Sequence, residues 1–94
     1  MDRYTVIISP DLELGVFTAL CPAMPGAITE GDTRAAALTA MRGVMGVWIE
    51  LASEHGEAPL IETPELIAAQ VAGVLDDRDQ SGWDRTIETA MGRV

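Results

Sequence analysis

Near the N-terminus, hydrophobic positions occur in short stretches separated by proline and glycine, a pattern typical of β-strands. Residues 3–9 are rich in β-branched and aromatic side chains and predict a first strand. Because positions 6, 7 and 8 are all apolar, this strand should be covered on both faces. We expect it to end before Pro10, since proline does not fit inside a central strand. The elements that follow are a turn over 10–15, a second strand over 16–21 and a short third strand over 27–30.

A longer segment then shows helical spacing. Asp32 or Thr33 can cap the start of a helix by accepting a hydrogen bond from the unpaired amides of its first turn. Gly56 can adopt the left-handed conformation that often ends a helix, and Pro59 lies just beyond it. These signals predict a helix over 33–55. One broad side of this helix is apolar and comprises Leu38, Met41, Val44, Met45, Trp48, Leu51 and Ala52.

A narrow row of small residues runs beside that apolar side, formed by Ala36, Ala40, Gly43 and Val47. Glycine inside a helix costs about 1 kcal/mol relative to alanine, and this helix also contains Gly46. One interpretation is that both glycines are merely tolerated. The other is that the row lets a second helix approach closely, either the next helix of this chain or the same helix of a second copy.

The C-terminal third is less clearly patterned. Thr63 as a cap and Pro64 at the first helical position predict a second helix over 64–79. Residues 83–94 allow two interpretations, because Trp83, Ile87 and Met91 have helical spacing whereas the β-branched residues around position 87 favour a strand. Local signals alone do not separate them.

Size and charge exclude several functions. A chain of 94 residues forms a single domain over 1–94. Fifteen acidic residues and six arginines give a net charge of −9, which repels nucleic acid and favours a basic partner. A helix-turn-helix around residues 80–82 is therefore not expected. No unbroken apolar stretch reaches the roughly 18–20 residues of a membrane span, so no membrane helix is expected.

Candidate catalytic chemistry is sparse. Asp11, Glu13 and Asp32 have simple roles in loops or as a cap, and one histidine with one cysteine is too few for a usual zinc site. Cys21 is expected to be a buried thiol, and His55 to be the last residue of the helix. We therefore expect no enzyme activity, no metal and no cofactor. A single cysteine without a secretory leader indicates the cytoplasm.

An ordered set of short motifs nevertheless covers about two thirds of the chain. It comprises Tyr4, Pro10-Asp11, Cys21-Pro22-Ala23-Met24-Pro25-Gly26, Gly31-Asp32-Thr33, Ala37-Leu38, Gly56 and Pro59. This set resembles the HicB family of antitoxins from prokaryotic toxin–antitoxin pairs. The resemblance implies a partial ribonuclease-H-like β-β-β-α-β fold, in which residues 84–93 form the last strand and the helix over 64–79 is an insertion. The expected class is therefore α+β, in the order β-β-β-α-α-β.

The sequence departs from the family pattern in two ways. Ala35 and Ala36 stand where family members usually carry acids, and the 94 residues show neither the ribbon-helix-helix nor the helix-turn-helix module that many members carry. Direct operator binding is therefore not expected.

The resemblance also implies a function. The chain would bind a small basic RNA-cleaving toxin, similar to HicA, and mask its cationic surface with acids, among which Asp2, Asp11, Glu13 and Asp32 are the candidates. A homo-oligomer, dimer or larger, is expected. The alternatives are a homo-oligomeric interaction protein without a toxin, and a residual ribonuclease.

Overall fold

The structure is a computed structural model that describes residues 3–94. It confirms the α+β class and the predicted order of elements. The elements are β1 (Arg3–Asp11), β2 (Val16–Leu20), β3 (Ile28–Gly31), α1 (Arg34–Glu54), α2 (Pro64–Gln80) and β4 (Glu88–Arg93).

The four strands form one antiparallel sheet in the order β3-β2-β1-β4. The tail is thus a strand, as the family resemblance implies, but it begins at Glu88 and not at residue 84. β4 pairs with β1 from Arg3 opposite Arg93 to Ile8 opposite Glu88. Its strand conformation depends on pairing with β1, whose paired residues lie 80 to 90 positions earlier in the chain. The local sequence pattern therefore could not indicate it.

The main core lies between α1 and one face of the sheet. Met41 and Met45 of α1 are fully buried against Val6 and Ile8 of β1. The loop between β2 and β3 closes one end of this core, since Met24 is also fully buried. The predicted apolar side of α1 is wrong at Leu51, which is 52% exposed. The buried face of α1 carries Ala37, Met41, Met45 and Ala52. Leu51 lies outside this face and lines a surface cleft.

The opposite face of the sheet is also covered, as the apolar run in β1 predicts. Ile7 is 1% exposed although it lies outside the main core. Ser9 on the same face lines a cleft together with Val74 of α2. The side chain of Glu62, just before α2, accepts hydrogen bonds from the Thr5 amide at 2.6 Å and the Thr5 hydroxyl at 2.9 Å. α2 therefore belongs to this second layer.

Pro10 lies inside β1, contrary to the prediction that the strand ends before it. It pairs with Phe17 of β2, while the pairing with β4 stops at Ile8. The Pro10 carbonyl accepts a hydrogen bond from the Arg78 side chain and so points away from β2. In a strand, the N–H and C=O groups of one residue point to the same side. On that side of Pro10 no strand pairs with β1, so the missing N–H of proline removes no hydrogen bond from the sheet.

The helix ends follow the predicted signals closely. Of the two candidate caps for α1, Thr33 is the one used, and its hydroxyl accepts from the Ala36 amide at 3.0 Å. Gly56, just beyond the helix, has a φ of +70°. Thr63 caps α2 by accepting from the Leu66 amide at 3.1 Å.

By length and composition α1 could cross a membrane, which the count of unbroken apolar residues did not predict. Its core face, however, packs on the sheet, with Ala37, Met41 and Met45 at 0% exposure. In this structure α1 is thus the helix that covers the core face of the sheet.

Candidate partner-binding surface

The β1–β2 turn presents an acidic and apolar tip at one end of the sheet. The Asp11 carboxylate accepts from the amides of Glu13 at 2.9 Å and Leu14 at 2.8 Å, and Gly15 has a φ of +70°. The fixed turn leaves Leu12 and Leu14 54% and 64% exposed on either side of exposed Glu13. We call residues 12–14 the hairpin tip. Of the predicted partner-binding acids, Asp11 thus shapes the turn, whereas Glu13 projects into solvent.

Asp32 lies at the same end of the sheet. Gly31, the last residue of β3, pairs with Phe17, and Phe17 pairs with Pro10 near the β1–β2 turn. β3 therefore ends on the side of the sheet where the hairpin tip lies, and Asp32 is the next residue. Asp32 is exposed and takes no part in the α1 cap. The fourth predicted acid, Asp2, lies outside the described residues. The structure therefore brings Asp11, Glu13 and Asp32 to one end of the sheet.

Arg78 of α2 connects several segments at this end of the sheet, a role that was not predicted from the sequence. It is only 3% exposed. Its Nε donates to the Asp84 carbonyl at 2.6 Å, its Nη2 donates to the Asp84 carboxylate at 3.1 Å, and its Nη1 donates to the Pro10 carbonyl. The guanidinium also lies over the Trp83 ring, 5.4 Å from the centroid. Its position inside an acidic run, residues 76–79, is typical of a solvated side chain, so no local pattern indicated this burial.

These contacts keep negative charge at this end of the molecule. Hydrogen bonds from the Thr86 side chain and backbone, and then from Arg78, lower the pKa of Asp84 below its ordinary value. Asp77 lines a cleft of about 200 Å³ together with Pro10 and Asp11. The end of the sheet that carries the hairpin tip is therefore acidic on both the turn side and the α2 side.

The side chains that commonly bind metal ions do not form a cluster in the part of the chain described. Within residues 3–94, no three His, Cys, Asp or Glu side chains lie close enough to hold a metal ion. Cys21 is buried as predicted, and burial raises the pKa of its thiol. The His55 Nδ1 lies 2.8 Å from the Leu51 carbonyl, one turn earlier in the helix.

Comparison with known proteins shows the family. No protein-family model matches the chain. The UPF0150 protein Ta0767 of Thermoplasma acidophilum is 38% identical over 55 residues, which cover 58% of this chain and 78% of that relative. The chain belongs to the UPF0150 family. The name of this relative states no activity or partner.

In this UPF0150 protein, several motif residues have structural roles that explain their type. Pro22 is buried at the start of the β2–β3 loop, exposed Pro25 accepts a hydrogen bond at its carbonyl from the Trp48 indole at 3.1 Å, and Gly26 has a φ of +87°. A Cβ on Gly31 would lie 2.5 Å from the Ala37 nitrogen, so only glycine fits against the first turn of α1.

The remaining motif residues also support the core of the UPF0150 domain. Tyr4 and Leu38 are half-buried and pack against the main core, and Ala37 is fully buried in it. Half-buried Pro59 precedes Leu60, whose amide donates to the Ala23 carbonyl at 2.8 Å. This bond holds the segment between the helices against the β2–β3 loop.

The small-residue row on α1 faces solvent in this UPF0150 chain. Ala36 and Gly43 are exposed, and Val47 is 55% exposed. A Cβ on Gly43 or Gly46 would meet no atom within 4 Å. The interpretation in which α2 packs closely on this row is therefore wrong. Contact with the same helix of a second copy stays a prediction.

Proposed function

We propose that this protein is an antitoxin-like binding protein of the HicB type, which neutralises a small, basic, RNA-cleaving toxin similar to HicA. The chain would cover the cationic RNA-binding face of the toxin without making or breaking bonds itself. We further propose that it acts in the cytoplasm and as a dimer or larger assembly. Membership of the UPF0150 family and the α+β fold are compatible with this role.

The observation that supports the proposal best is the hairpin tip. Two leucines that are more than half exposed flank an exposed glutamate on a turn whose shape is fixed by Asp11. Preorganised apolar side chains beside a charge are suited to anchor an interface, because binding then costs little conformational entropy. The net charge of −9 adds long-range attraction for a cationic partner.

The test is co-expression with the product of the adjacent reading frame, which this proposal expects to be a small basic protein. We expect growth rescue and co-purification with the native chain, and loss of both with Leu12→Ser combined with Leu14→Ser. The matched control is Leu51→Ser combined with Leu60→Ser, which removes two apolar side chains that are about half exposed and lie outside both the hairpin tip and the small-residue row. Equal loss with both pairs, or full rescue by the tip variant, would contradict a role for the tip.

A second candidate function is supported by other exposed apolar residues. Ile61 is 86% exposed and Ile28 is 66% exposed, and neither belongs to the hairpin tip. Self-association would remove such side chains from water, so a homo-oligomeric interaction protein without a toxin is the alternative. Self-association of the purified chain, without rescue by co-expression, would favour it. Metal-dependent RNA cleavage by the purified chain would contradict both proposals.

A further inference from the structure

The six arginines of the chain divide into two groups. Three are paired with carboxylates, namely Arg34 with Glu88, Arg78 with Asp84 and Arg85 with Asp79. The other three are Arg3, Arg42 and Arg93, and within residues 3–94 none of their side chains has an ion pair or a hydrogen bond. All three line the same open cleft, whose remaining wall is Met91. We call it the arginine cleft.

Secondary structure fixes how these charges come together. Arg3 and Arg93 are directly opposite each other on β1 and β4, where like charges repel. Arg42 reaches the cleft from α1. With acids outnumbering arginines fifteen to six, pairing each arginine with a carboxylate would be easy in this chain. Three unpaired guanidinium groups in one cleft therefore form a concentrated positive site on an acidic protein.

We propose that the arginine cleft binds the phosphate group of a small phosphate monoester. Guanidinium groups present paired N–H donors that match phosphate oxygens, and three of them can surround a tetrahedral dianion. The cleft has a volume of about 470 Å³ and is thus large enough for more than a phosphate ion. Met91, which is 50% exposed, offers a polarizable thioether surface for an apolar or aromatic part of the ligand.

A small ligand fits these observations better than a long polyanion. The net charge of −9 opposes the approach of an RNA or DNA strand, whereas a single phosphate feels mainly the three nearby arginines. The site shares no residue with the hairpin tip or Asp32. It is therefore independent of the proposed toxin binding and can fail without affecting it.

The experiment is an NMR titration of the ¹⁵N-labelled full chain at low salt. The probes are adenosine 5′-monophosphate, adenosine, inorganic phosphate and a ten-nucleotide RNA. We expect the monophosphate to shift the amides of residues 3, 42 and 91–93 and the Nε resonances of the three arginines. Inorganic phosphate should shift the same resonances more weakly, and adenosine should shift none of them.

The variant Arg42→Gln removes one guanidinium from an exposed helix position, and it should weaken binding of the monophosphate about tenfold. The control Arg85→Gln removes an exposed arginine of another region and should leave the affinity unchanged. Thermal melting of both variants verifies that they are folded. Equal weakening by the two variants, equal shifts with adenosine, tighter binding of the RNA than of the monophosphate, or no saturable shift up to about 1 mM would each overturn the proposal.

Discussion

The side chain of Arg78 donates to the backbone carbonyl of Pro10, 68 residues earlier in the chain. At the other end of β1, the Glu62 carboxylate accepts from the Thr5 amide, at a position where β2 does not pair with β1. Glu62 lies just before α2 and Arg78 lies in its last turn, so the helix is attached to the sheet at both of its ends. These two contacts satisfy backbone groups of β1 that neighbouring strands leave unpaired.

Replacement of Arg78 by methionine should therefore destabilise the protein by about 3 kcal/mol. The variant keeps much of the side-chain volume but leaves the Pro10 carbonyl without its donor and removes the pair with Asp84. Urea unfolding measures the change, and hydrogen exchange should show faster opening of α2 than of β1. The matched control, Arg85→Gln, should change stability by less than about 0.5 kcal/mol, because this arginine is largely exposed. A similar small change for Arg78→Met would contradict the assigned role.

Most of the local structure could be predicted because its causes are local. Thr33, Gly56 and Thr63 act through residues a few positions away, so their types alone indicate the helix ends. The tail could not be assigned from its own pattern, because its strand conformation depends on β1. Arg78 was missed for the same reason, since Pro10 and Asp84 come together around it only in the folded chain.

The candidate surface was predictable only in part. Sequence alone placed Asp11 and Glu13 in a turn and Asp32 at a helix start, and the sheet register then brought them to one end. It did not show that Asp11 is engaged in the turn or that the neighbouring leucines are exposed, because both depend on the conformation of the hairpin.

Replacement by alanine should change stability in opposite directions at Gly31, the last residue of β3, and at Gly43 of α1. In Gly31→Ala the new methyl would lie 2.5 Å from the Ala37 nitrogen and 2.7 Å from the Ala36 carbonyl carbon, so backbone must move, and we expect a loss of about 2 kcal/mol. In Gly43→Ala the methyl meets open space inside a helix, and we expect a gain of about 1 kcal/mol. Thermal or urea unfolding of both variants tests the pair. Destabilisation by Gly43→Ala would show that something packs on that position.

The buried thiol of Cys21 should make stability depend on pH in the alkaline range. Burial raises its folded-state pKa above the ordinary value of 9.0, so the unfolded chain loses this proton first as the pH rises. The contribution is therefore fully present below pH 9.0 and is lost as the pH rises from there through the folded-state pKa. Unfolding curves recorded across this range should show a smaller decline for Cys21→Ala than for the native chain. Identical declines in both proteins would contradict the assignment.

The exposed row of small residues on α1 gives a test of self-association. If the row allows two copies of α1 to approach closely, Gly43→Leu should shift the protein from dimer to monomer at micromolar concentration, because the larger side chain separates the helices. Sedimentation equilibrium measures the mass of the assembly. Thr39→Leu, also at an exposed position of α1, is the control and should leave the mass unchanged. A dimer that persists in Gly43→Leu would place the contact elsewhere, and a native chain that sediments as a monomer would contradict the predicted oligomer.

The acidic end of the sheet should set the rate at which a basic partner binds. Glu13→Gln combined with Asp32→Asn removes two exposed charges near the hairpin tip, so the association rate should fall severalfold while the dissociation rate changes little. Raising the salt from about 50 mM to about 200 mM should slow the native chain more than the variant, because screening acts on the charges that the variant lacks. Stopped-flow binding to the co-purified basic protein measures both rates. The control Glu54→Gln combined with Glu65→Gln removes the same net charge from exposed positions of the two helices. Equal slowing by both double variants would assign the attraction to net charge alone, and the acidic end would then have no special part in recognition.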